Sequence, residues 1–313
     1  MSLPKKLSEK PKVFEHLYGL VEDGTITGDI ILSDDIIAAI KKTGADLSPR
    51  NPANFLKDII RNNNANVVWP QSLKDKGITA RQRYGDRRVF QFVKYKEGQT
   101  EPFPNRFVPD TNTPEYLVQS ASVPFAARQL GRKEESWVTQ IAVYLRLIET
   151  QLAVFSPLRA LVRDVTHLQM GMKTQPEIDA VYVASFGKTE SLKSETNLHL
   201  SVTCEAKQDK ERILEDQIKE QVAESMKRTR TIKTPKIGGV KPMAVKVVRH
   251  KFNGCDEEER GIYVVEFAHI MREEFETSWL PADKNDDRLY AMPLEKVSDA
   301  VYRIMPPVRG VNA

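Results

Sequence analysis

Residues 200–207 constrain the fold of this chain more than any other segment. Apolar and polar residues alternate along the segment, which predicts a β-strand with one buried face and one polar face. The apolar face would carry Leu200, Val202, Cys204 and Ala206. Glu205 and Lys207 would lie side by side on the polar face.

Residues 178–186 predict a second strand, because they are rich in valine, alanine and aromatic residues. Glu177 and Asp179 are two residues apart at its start, so their side chains share a face. If the two strands pair, Asp179 converges with Glu205 and Lys207. Proteins hold Mg²⁺ with one or two carboxylates, water and phosphate oxygens, and a nearby lysine can stabilise charge or help to deprotonate water. The pattern therefore suits a divalent metal beside a phosphodiester.

The chain has 313 residues, enough for two domains with separate cores. Its longest apolar runs are shorter than the roughly 18 residues of a membrane span. The first residues also lack the apolar core of a signal peptide. Cys204 and Cys255 are the only cysteines, which predicts neither a disulfide nor a cysteine-based zinc site. We therefore expect a soluble cytoplasmic protein with no membrane partner.

Charge is distributed unevenly along the chain, although the net charge is only +4. One basic cluster lies between Arg50 and Lys96, and a second lies between Lys227 and Lys241. Each cluster alone could be ordinary solvated surface. Because the two flank the candidate metal site in sequence, together they favour binding to a polyanion.

Residues 1–96 predict a small domain of helices followed by a β-hairpin. Apolar spacing and capping residues, with Ser33 as an N-cap, predict three helices over residues 12–23, 33–44 and 52–63. A strand over residues 66–70 should follow. The hairpin should then cover residues 78–95, with its turn near Gly85 and Asp86.

This order of elements resembles a winged helix-turn-helix domain. In that family the third helix enters the DNA major groove, and the hairpin wing contacts the backbone or the minor groove. The resemblance implies candidate groove contacts from Arg50, Asn51, Asn54, Lys57 and Arg61. It implies candidate wing contacts from Arg81, Arg83, Arg87 and Arg88. A domain used for protein contact is the alternative.

Residues 97–114 are rich in Pro, Asn, Asp and Thr, and we expect them to form a linker to a second domain over residues 115–313. Two long helices are expected there, over residues 134–152 and 209–227. Residues 158–165 fit either a strand or a short helix. Two further strands are expected over residues 245–250 and 262–270, and a final helix over residues 294–304.

The order helix, strand, strand with an acid, strand with Glu-x-Lys, helix and strand resembles the PD-(D/E)XK nuclease superfamily. The resemblance implies an α/β (α+β) domain with a restriction-endonuclease-like αβββαβ core and a mixed central sheet. It also implies that Asp179 and Glu205 bind Mg²⁺, with Mn²⁺ as a possible substitute, and that Lys207 orients or activates the attacking water. Pro176 is followed by Glu177, so Asp179 is an acid displaced by two residues and Glu177 is the second choice.

Members of the superfamily also carry weaker recurring features. A polar residue on the helix after Glu-x-Lys could be Gln217 or Gln221, and an acid on the first helix could be Glu135 or Glu149. The histidines lack metal-ligand spacing. No glycine-rich segment ends in Gly-Lys-Ser/Thr, so we expect no nucleotide cofactor.

These resemblances together predict a Mg²⁺-dependent DNA endonuclease. A type II restriction enzyme that acts on double-stranded DNA as a homodimer fits best, because cutting both strands requires two active sites. A repair or modification-dependent nuclease of the same fold is one alternative. Another is a non-catalytic winged-helix DNA-binding regulator, in which the polar face that holds Glu205 would need no metal. The ordinary interpretation of Glu-x-Lys on a half-exposed strand is a solvated ion pair.

Overall fold

The computed structural model describes residues 9–174, 176–187, 198–283 and 286–313. The chain forms two compact units. The first unit runs to Arg106 and also includes Lys210–Arg212, and the second comprises Phe107–Asp209 and Ile213–Ala313. Both units combine helices with strands, so the expectation of a mixed α/β protein is confirmed. The boundary at Arg106 falls within the expected linker. The sequence did not predict that Lys210–Arg212 would belong to the first unit.

Helices and a small antiparallel sheet form the first unit. The helices are α1 (Lys10–Glu22), α2 (Ser33–Thr43), α3 (Lys57–Ile60), α4 (Ala65–Val68) and α5 (Gln71–Asp75). The strands are β1 (Ile30–Leu32), β2 (Ile78–Gln82) and β3 (Arg88–Lys94), in the order β1-β3-β2. The predicted hairpin is confirmed, and its turn places Asp86 and Arg87 at positive φ.

Two predictions for the first unit are wrong. The helix expected over residues 52–63 is a 3₁₀ turn at Pro52–Asn54 followed by the single-turn helix α3. Asn62 ends it, because its side-chain amide donates to the Asp58 carbonyl at 2.6 Å and so competes with the helical backbone. The strand expected over residues 66–70 is α4, since Pro70 cannot donate to a strand ladder and Trp69 is buried in the core.

Other elements of the first unit agree closely with the sequence. Ser33 is the first residue of α2 rather than its N-cap, and the Asp35 carboxylate accepts from the Leu32 backbone N–H at 2.8 Å. Gly44 ends α2 in the left-handed conformation, with φ of 63°. The core is aromatic, with the Phe14 ring 4.7 Å from that of Trp69 between centroids.

The second unit is built on an eight-stranded mixed sheet, with strands in the order β4-β11-β9-β8-β7-β6-β5 and β10 paired to β8. The strands are β4 (Glu115–Gln119), β5 (Val162–Met172), β6 (Ile178–Phe186), β7 (Leu198–Lys207), β8 (Ile237–His250), β9 (Glu259–Phe267), β10 (Ile270–Met271) and β11 (Lys296–Met305). The helices are α6 (Phe125–Leu130), α7 (Glu135–Tyr144), α8 (Leu147–Thr150), α9 (Glu215–Thr229), α10 (Arg272–Glu274) and α11 (Arg288–Ala291).

Strand directions define two ends of this sheet. Strands β5, β6 and β7 are antiparallel neighbours, and α9 connects β7 to the parallel strand β8. Strand β11 runs in the same direction as β7, because the β11–β9 and β9–β8 pairings are both antiparallel and the β8–β7 pairing is parallel. The carboxyl ends of β7, β8 and β11 and the amino end of β6 therefore lie together. We call this edge the Lys207 end.

Two of the helices predicted for the second unit, over residues 134–152 and 294–304, differ from the structure. The helix over residues 134–152 is broken, because Arg146 adopts a left-handed φ of 55° between α7 and α8, and a π-helical turn follows at Gln151–Phe155. The helix over residues 294–304 is strand β11, in which Ala300, Tyr302 and Ile304 alternate into the core. Hydrogen bonding to both β9 and β4 outweighed the helical spacing of this segment.

Smaller differences affect two segments. Residues 158–165 contain both elements considered, a 3₁₀ turn at Arg159–Leu161 and the start of β5. Helix α9 begins at Glu215, later than expected. Among the residues that the structure describes, no single helix is long and apolar enough to cross a membrane. One bent pair, α7 with residues 147–155, passes that test by length and composition.

Helices cover both faces of the sheet. The face that carries Leu200 and Val202 packs against α7 and α8. Helix α9 covers the other face and buries Ile218 and Val222 there. The polar side of β7, with Ser201, Thr203, Glu205 and Lys207, therefore lies beneath a helix instead of facing solvent.

Candidate active site

Asp179 is brought to strand β7 by the antiparallel pairing of β6 and β7. Ala180 lies opposite Cys204 in this pairing, so the start of β6 meets the end of β7. The Ala206 backbone N–H donates to Asp179 Oδ2 at 2.8 Å. The two strands therefore hold the Asp179 carboxylate beside the Glu205-x-Lys207 segment, as the pairing of the predicted strands implied.

Glu205 and Lys207 form a buried ion pair, with 1% and 2% of their side chains exposed. Lys207 Nζ also donates to Glu135 Oε1 at 2.8 Å. The alternative of a solvated ion pair is therefore wrong, because helix α9 shields the pair from water. Two carboxylates share one ammonium group in this arrangement.

Two glutamines of helix α9 complete the surroundings of Glu205. Gln217 Nε2 donates to Glu205 Oε1 at 2.5 Å. Gln221 lies one turn further along α9, where its Nε2 donates to Glu205 Oε2 and to the Glu177 carbonyl oxygen, the latter at 2.9 Å. Its own Oε1 is buried without a hydrogen-bond partner. Both oxygens of Glu205 are thus held in place, while a neighbouring acceptor remains unsatisfied.

Burial and like charge dominate the electrostatics of this site. Burial and the nearby Glu205 carboxylate raise the pKa of Asp179 to about 8, although the Ala206 N–H and Lys207 act in the opposite direction. Burial alone would lower the pKa of Lys207, but the carboxylates of Glu205 and Glu135 raise it above its ordinary value. Lys207 is therefore a cation at neutral pH, and Asp179 holds a proton there.

The residues of this site fit a Mg²⁺ ion. Mg²⁺ binds through one or two carboxylates and keeps several waters, so Asp179 and Glu205 supply an adequate set of hard oxygen ligands. Burial and, after it, the negative charge of Glu205 raise the pKa of Asp179, and a cation bound between the two carboxylates would offset both effects. Within the described ranges no three His, Cys, Asp or Glu side chains cluster, so protein side chains alone do not form a complete metal cage there.

The structure separates the weaker candidates from one another. Glu177 is exposed, and only its backbone carbonyl takes part in the site. Glu149 lies on α8, where burial raises its pKa and its Oε1 is 3.5 Å from Arg146 Nε. Of the two acids considered on the first helix, Glu135 is the one that reaches Lys207.

Several candidate DNA contacts of the first unit are engaged within that unit. Arg61 pairs with Glu211 at 2.6 Å, and Arg87 pairs with Asp34 at 2.5 Å. Arg83 is only 5% exposed and donates to the side-chain oxygen of Gln91. These bonds connect the three arginine side chains to other residues of the first unit.

The remaining candidates of the first unit divide into exposed and partly buried residues. Arg50, Asn51 and Asn54 are exposed, and the partly buried residues are Lys57, Arg81 and Arg88. Arg88 Nη2 donates to the Tyr84 carbonyl at 3.1 Å, within the hairpin turn. The broken third helix means that the exposed candidates lie around a 3₁₀ turn and not along a long recognition helix.

Sequence reasoning missed a second buried ion pair, between Lys241 and Glu266. Glu266 also accepts from the Ser156 hydroxyl at 2.8 Å and from the Ser298 hydroxyl at 2.5 Å. The signal that could have revealed it is a charged residue at a core-facing position of each of two apolar strands. This network lies on the sheet face opposite Glu205 and is satisfied by its own partners.

A scan against protein-family models and searches of curated proteins and of solved structures found no match to this chain. The resemblance to PD-(D/E)XK nucleases therefore depends on the residue pattern and on the arrangement of strands and helix in the second unit. It stays a hypothesis about function.

Proposed function

We propose that this protein is a Mg²⁺-dependent DNA endonuclease. The observation that carries the proposal is the convergence of Asp179, Glu205 and Lys207 at the Lys207 end of the sheet. Two neighbouring carboxylates, one of which has a pKa raised by burial and by the charge of the other, suit a cation and a phosphate when a charged lysine lies beside them.

The arrangement of elements supports the same proposal. The order α7, β5, β6, β7, α9, β8 follows the αβββαβ order of the PD-(D/E)XK fold, with three antiparallel strands and a helical crossover to a parallel strand. The acid comes at the start of the second strand and Glu-x-Lys at the end of the third. A common fold alone does not establish activity, so the site carries the argument.

The side chains have distinct roles in this proposal. Bound Mg²⁺ would polarise the phosphate and lower the pKa of a bound water. Asp179 would give up its proton when it becomes a ligand. Lys207 is already protonated, so it would stabilise the negative charge of the transition state and orient water by donating hydrogen bonds. Glu135 and Gln217 would hold Lys207 and Glu205 in position.

The DNA-binding role of the first unit is part of the proposal. Its helices, followed by the β2–β3 hairpin of a three-stranded sheet in the order β1-β3-β2, support a winged-helix comparison. Exposed Arg50 and Asn54 would contact DNA. Double-strand cleavage by a protein with one such site per chain favours a homodimer, and a stand-alone type II restriction enzyme fits this description.

Cleavage of plasmid DNA tests the proposal. Purified protein with Mg²⁺ should cut supercoiled plasmid into discrete fragments, and chelation by EDTA should stop it. Glu205→Ala and Lys207→Ala should each lower the cleavage rate by at least about a hundredfold, because each removes charge stabilisation at the reacting phosphate.

Glu177→Ala is the matched control, because it removes an exposed acid two residues from Asp179. It should cut at nearly the rate of the unsubstituted protein. Cleavage that survives both Glu205→Ala and Lys207→Ala would show that these residues do not form an active site.

One observation favours a second candidate function, a non-catalytic DNA-binding regulator. Both oxygens of Glu205 already accept hydrogen bonds from Gln217 and Gln221, so the protein itself satisfies this carboxylate without a metal. Under this alternative the protein would bind DNA without cutting it. Titration calorimetry that detects no Mg²⁺ or Mn²⁺ binding, together with intact DNA binding, would support the regulator over the nuclease.

A further inference from the structure

A segment before helix α7 exposes apolar and basic side chains close to the candidate site. We call residues 124–134 the pre-α7 segment. Phe125 is 70% exposed and Leu130 is 73% exposed, although both are large and apolar. Arg132, with 80% of its side chain exposed, and the exposed Lys133 complete the surface. Single exposed apolar side chains are common on protein surfaces, and it is their combination with two exposed cations that favours a polyanion here.

This surface lies at the Lys207 end of the sheet. The segment leads into Glu135, whose carboxylate is 2.8 Å from Lys207 Nζ. The Glu134 carbonyl accepts from Gln208 Nε2 at 3.0 Å, which ties the segment to the residue after β7. Because consecutive Cα atoms are about 3.8 Å apart, the backbone of Lys133 is within about 8 Å of that of Glu135. A DNA strand bound at the candidate site would therefore have phosphates close to Lys133.

The carboxyl-terminal tail holds the segment in place. The Arg309 backbone N–H donates to the Arg128 carbonyl at 2.8 Å, and Arg309 Nη1 donates to the Gln129 carbonyl at 3.2 Å. The Trp137 indole N–H donates to the Arg309 carbonyl at 2.9 Å. A Cβ at Gly131 would collide with that carbonyl, so only glycine allows this approach. The surface is therefore fixed relative to the sheet.

Arg132 and Lys133 are the exposed cations of the segment that an external anion can reach. Arg132 is 3.9 Å from Glu134, and both side chains are well exposed, so this pair contributes little. The Arg128 guanidinium lies 5.8 Å from the centre of the Phe125 ring, and its Nε is buried without a hydrogen-bond partner. Cations interleaved with an exposed aromatic ring suit the phosphates and bases of a nucleic acid.

We propose that the pre-α7 segment binds duplex DNA next to the scissile phosphate. Arg132 and Lys133 neutralise backbone phosphates, and Phe125 packs against a base or sugar in the adjacent groove. This inference rests on the proposed nuclease function and adds a DNA contact in the second unit. The basic residues at 227–241, in contrast, are centred on the residues before β8, at the end of the sheet away from Lys207.

Metal-free DNA binding separates this inference from cleavage. Fluorescence anisotropy in EDTA would compare the unsubstituted protein with the double variant Arg132→Glu with Lys133→Glu on a labelled duplex of about 30 base pairs. The matched control is Lys233→Glu with Lys236→Glu, which makes the same charge change at exposed positions at the other end of the sheet. All three proteins would be titrated over a range of salt concentrations.

The double variant at Arg132 and Lys133 should bind DNA at least about tenfold more weakly. The slope of its log affinity against log salt concentration should be smaller in magnitude by about 1.8, since each phosphate contact contributes about 0.9. The control should stay within about twofold of the unsubstituted protein. Phe125→Ala should weaken binding by about tenfold without changing the salt slope, because the apolar packing of this ring in the groove is not electrostatic.

Equal losses in the two double variants would overturn the inference, since net charge alone would then explain them. Tighter binding of a structured RNA with the same sensitivity to Arg132 and Lys133 would overturn the assignment to DNA. If the unsubstituted protein fails to cut plasmid DNA but the anisotropy results hold, only the proposed nuclease function is lost. If it cuts plasmid while the Arg132 and Lys133 variant binds normally, only this inference is lost.

Discussion

Asp179→Asn should remove much of the pH dependence of stability in the metal-free protein. The pKa of Asp179 is about 8 in the folded chain, against an ordinary value of 3.8. Between these values the folded protein keeps a proton that the unfolded chain releases, so the free energy of unfolding falls as pH rises. From pH 6 to pH 9 the raised pKa accounts for a loss of about 2 to 3 kcal/mol, at about 1.36 kcal/mol per unit.

The substitution isolates the charge of Asp179 from its hydrogen bond. An asparagine oxygen can accept from the Ala206 N–H as Asp179 Oδ2 does. Urea denaturation in EDTA at pH 6 and pH 9 would measure both proteins. Between pH 6 and pH 9 the free energy of unfolding of the unsubstituted protein should fall by about 2 to 3 kcal/mol more than that of Asp179→Asn. The exposed-site control Glu177→Gln should behave like the unsubstituted protein. Equal losses in the unsubstituted protein and in Asp179→Asn would refute the buried-charge reasoning.

Two further predictions concern the metal and the second ion pair. Mg²⁺ binding at pH 7 should release about 0.9 proton per site, because Asp179 is mostly protonated at that pH. Mg²⁺ binding to the Asp179→Asn variant should release almost none. Calorimetry in two buffers of different ionisation enthalpy measures the number of protons released. Glu266→Ala should lower the free energy of unfolding by about 3 to 5 kcal/mol, because it leaves Lys241 buried and unpaired. Lys241→Met combined with Glu266→Leu should cost much less in urea denaturation, and a cost equal to that of Glu266→Ala would contradict this explanation.

Local sequence patterns predicted those elements that local interactions stabilise. The alternation in residues 200–207 is found in β7, and the turn residues Gly85 and Asp86 are found in the β2–β3 hairpin. Residues 294–304 show the limit of this reasoning. Their apolar residues fit a helix by spacing, but hydrogen bonding on both sides places them in strand β11.

The sequence by itself determined that Glu205 and Lys207 share one face of a strand, because a strand has a period of two residues. It also identified Asp179 as the preferred candidate acid on the paired strand. Only the tertiary structure decided that α9 buries this face, that Glu135 rather than Glu149 reaches Lys207, and that the charges share a low-dielectric site. Burial and pKa depend on which distant segments cover a residue, and the spacing of residues within one strand does not contain that information.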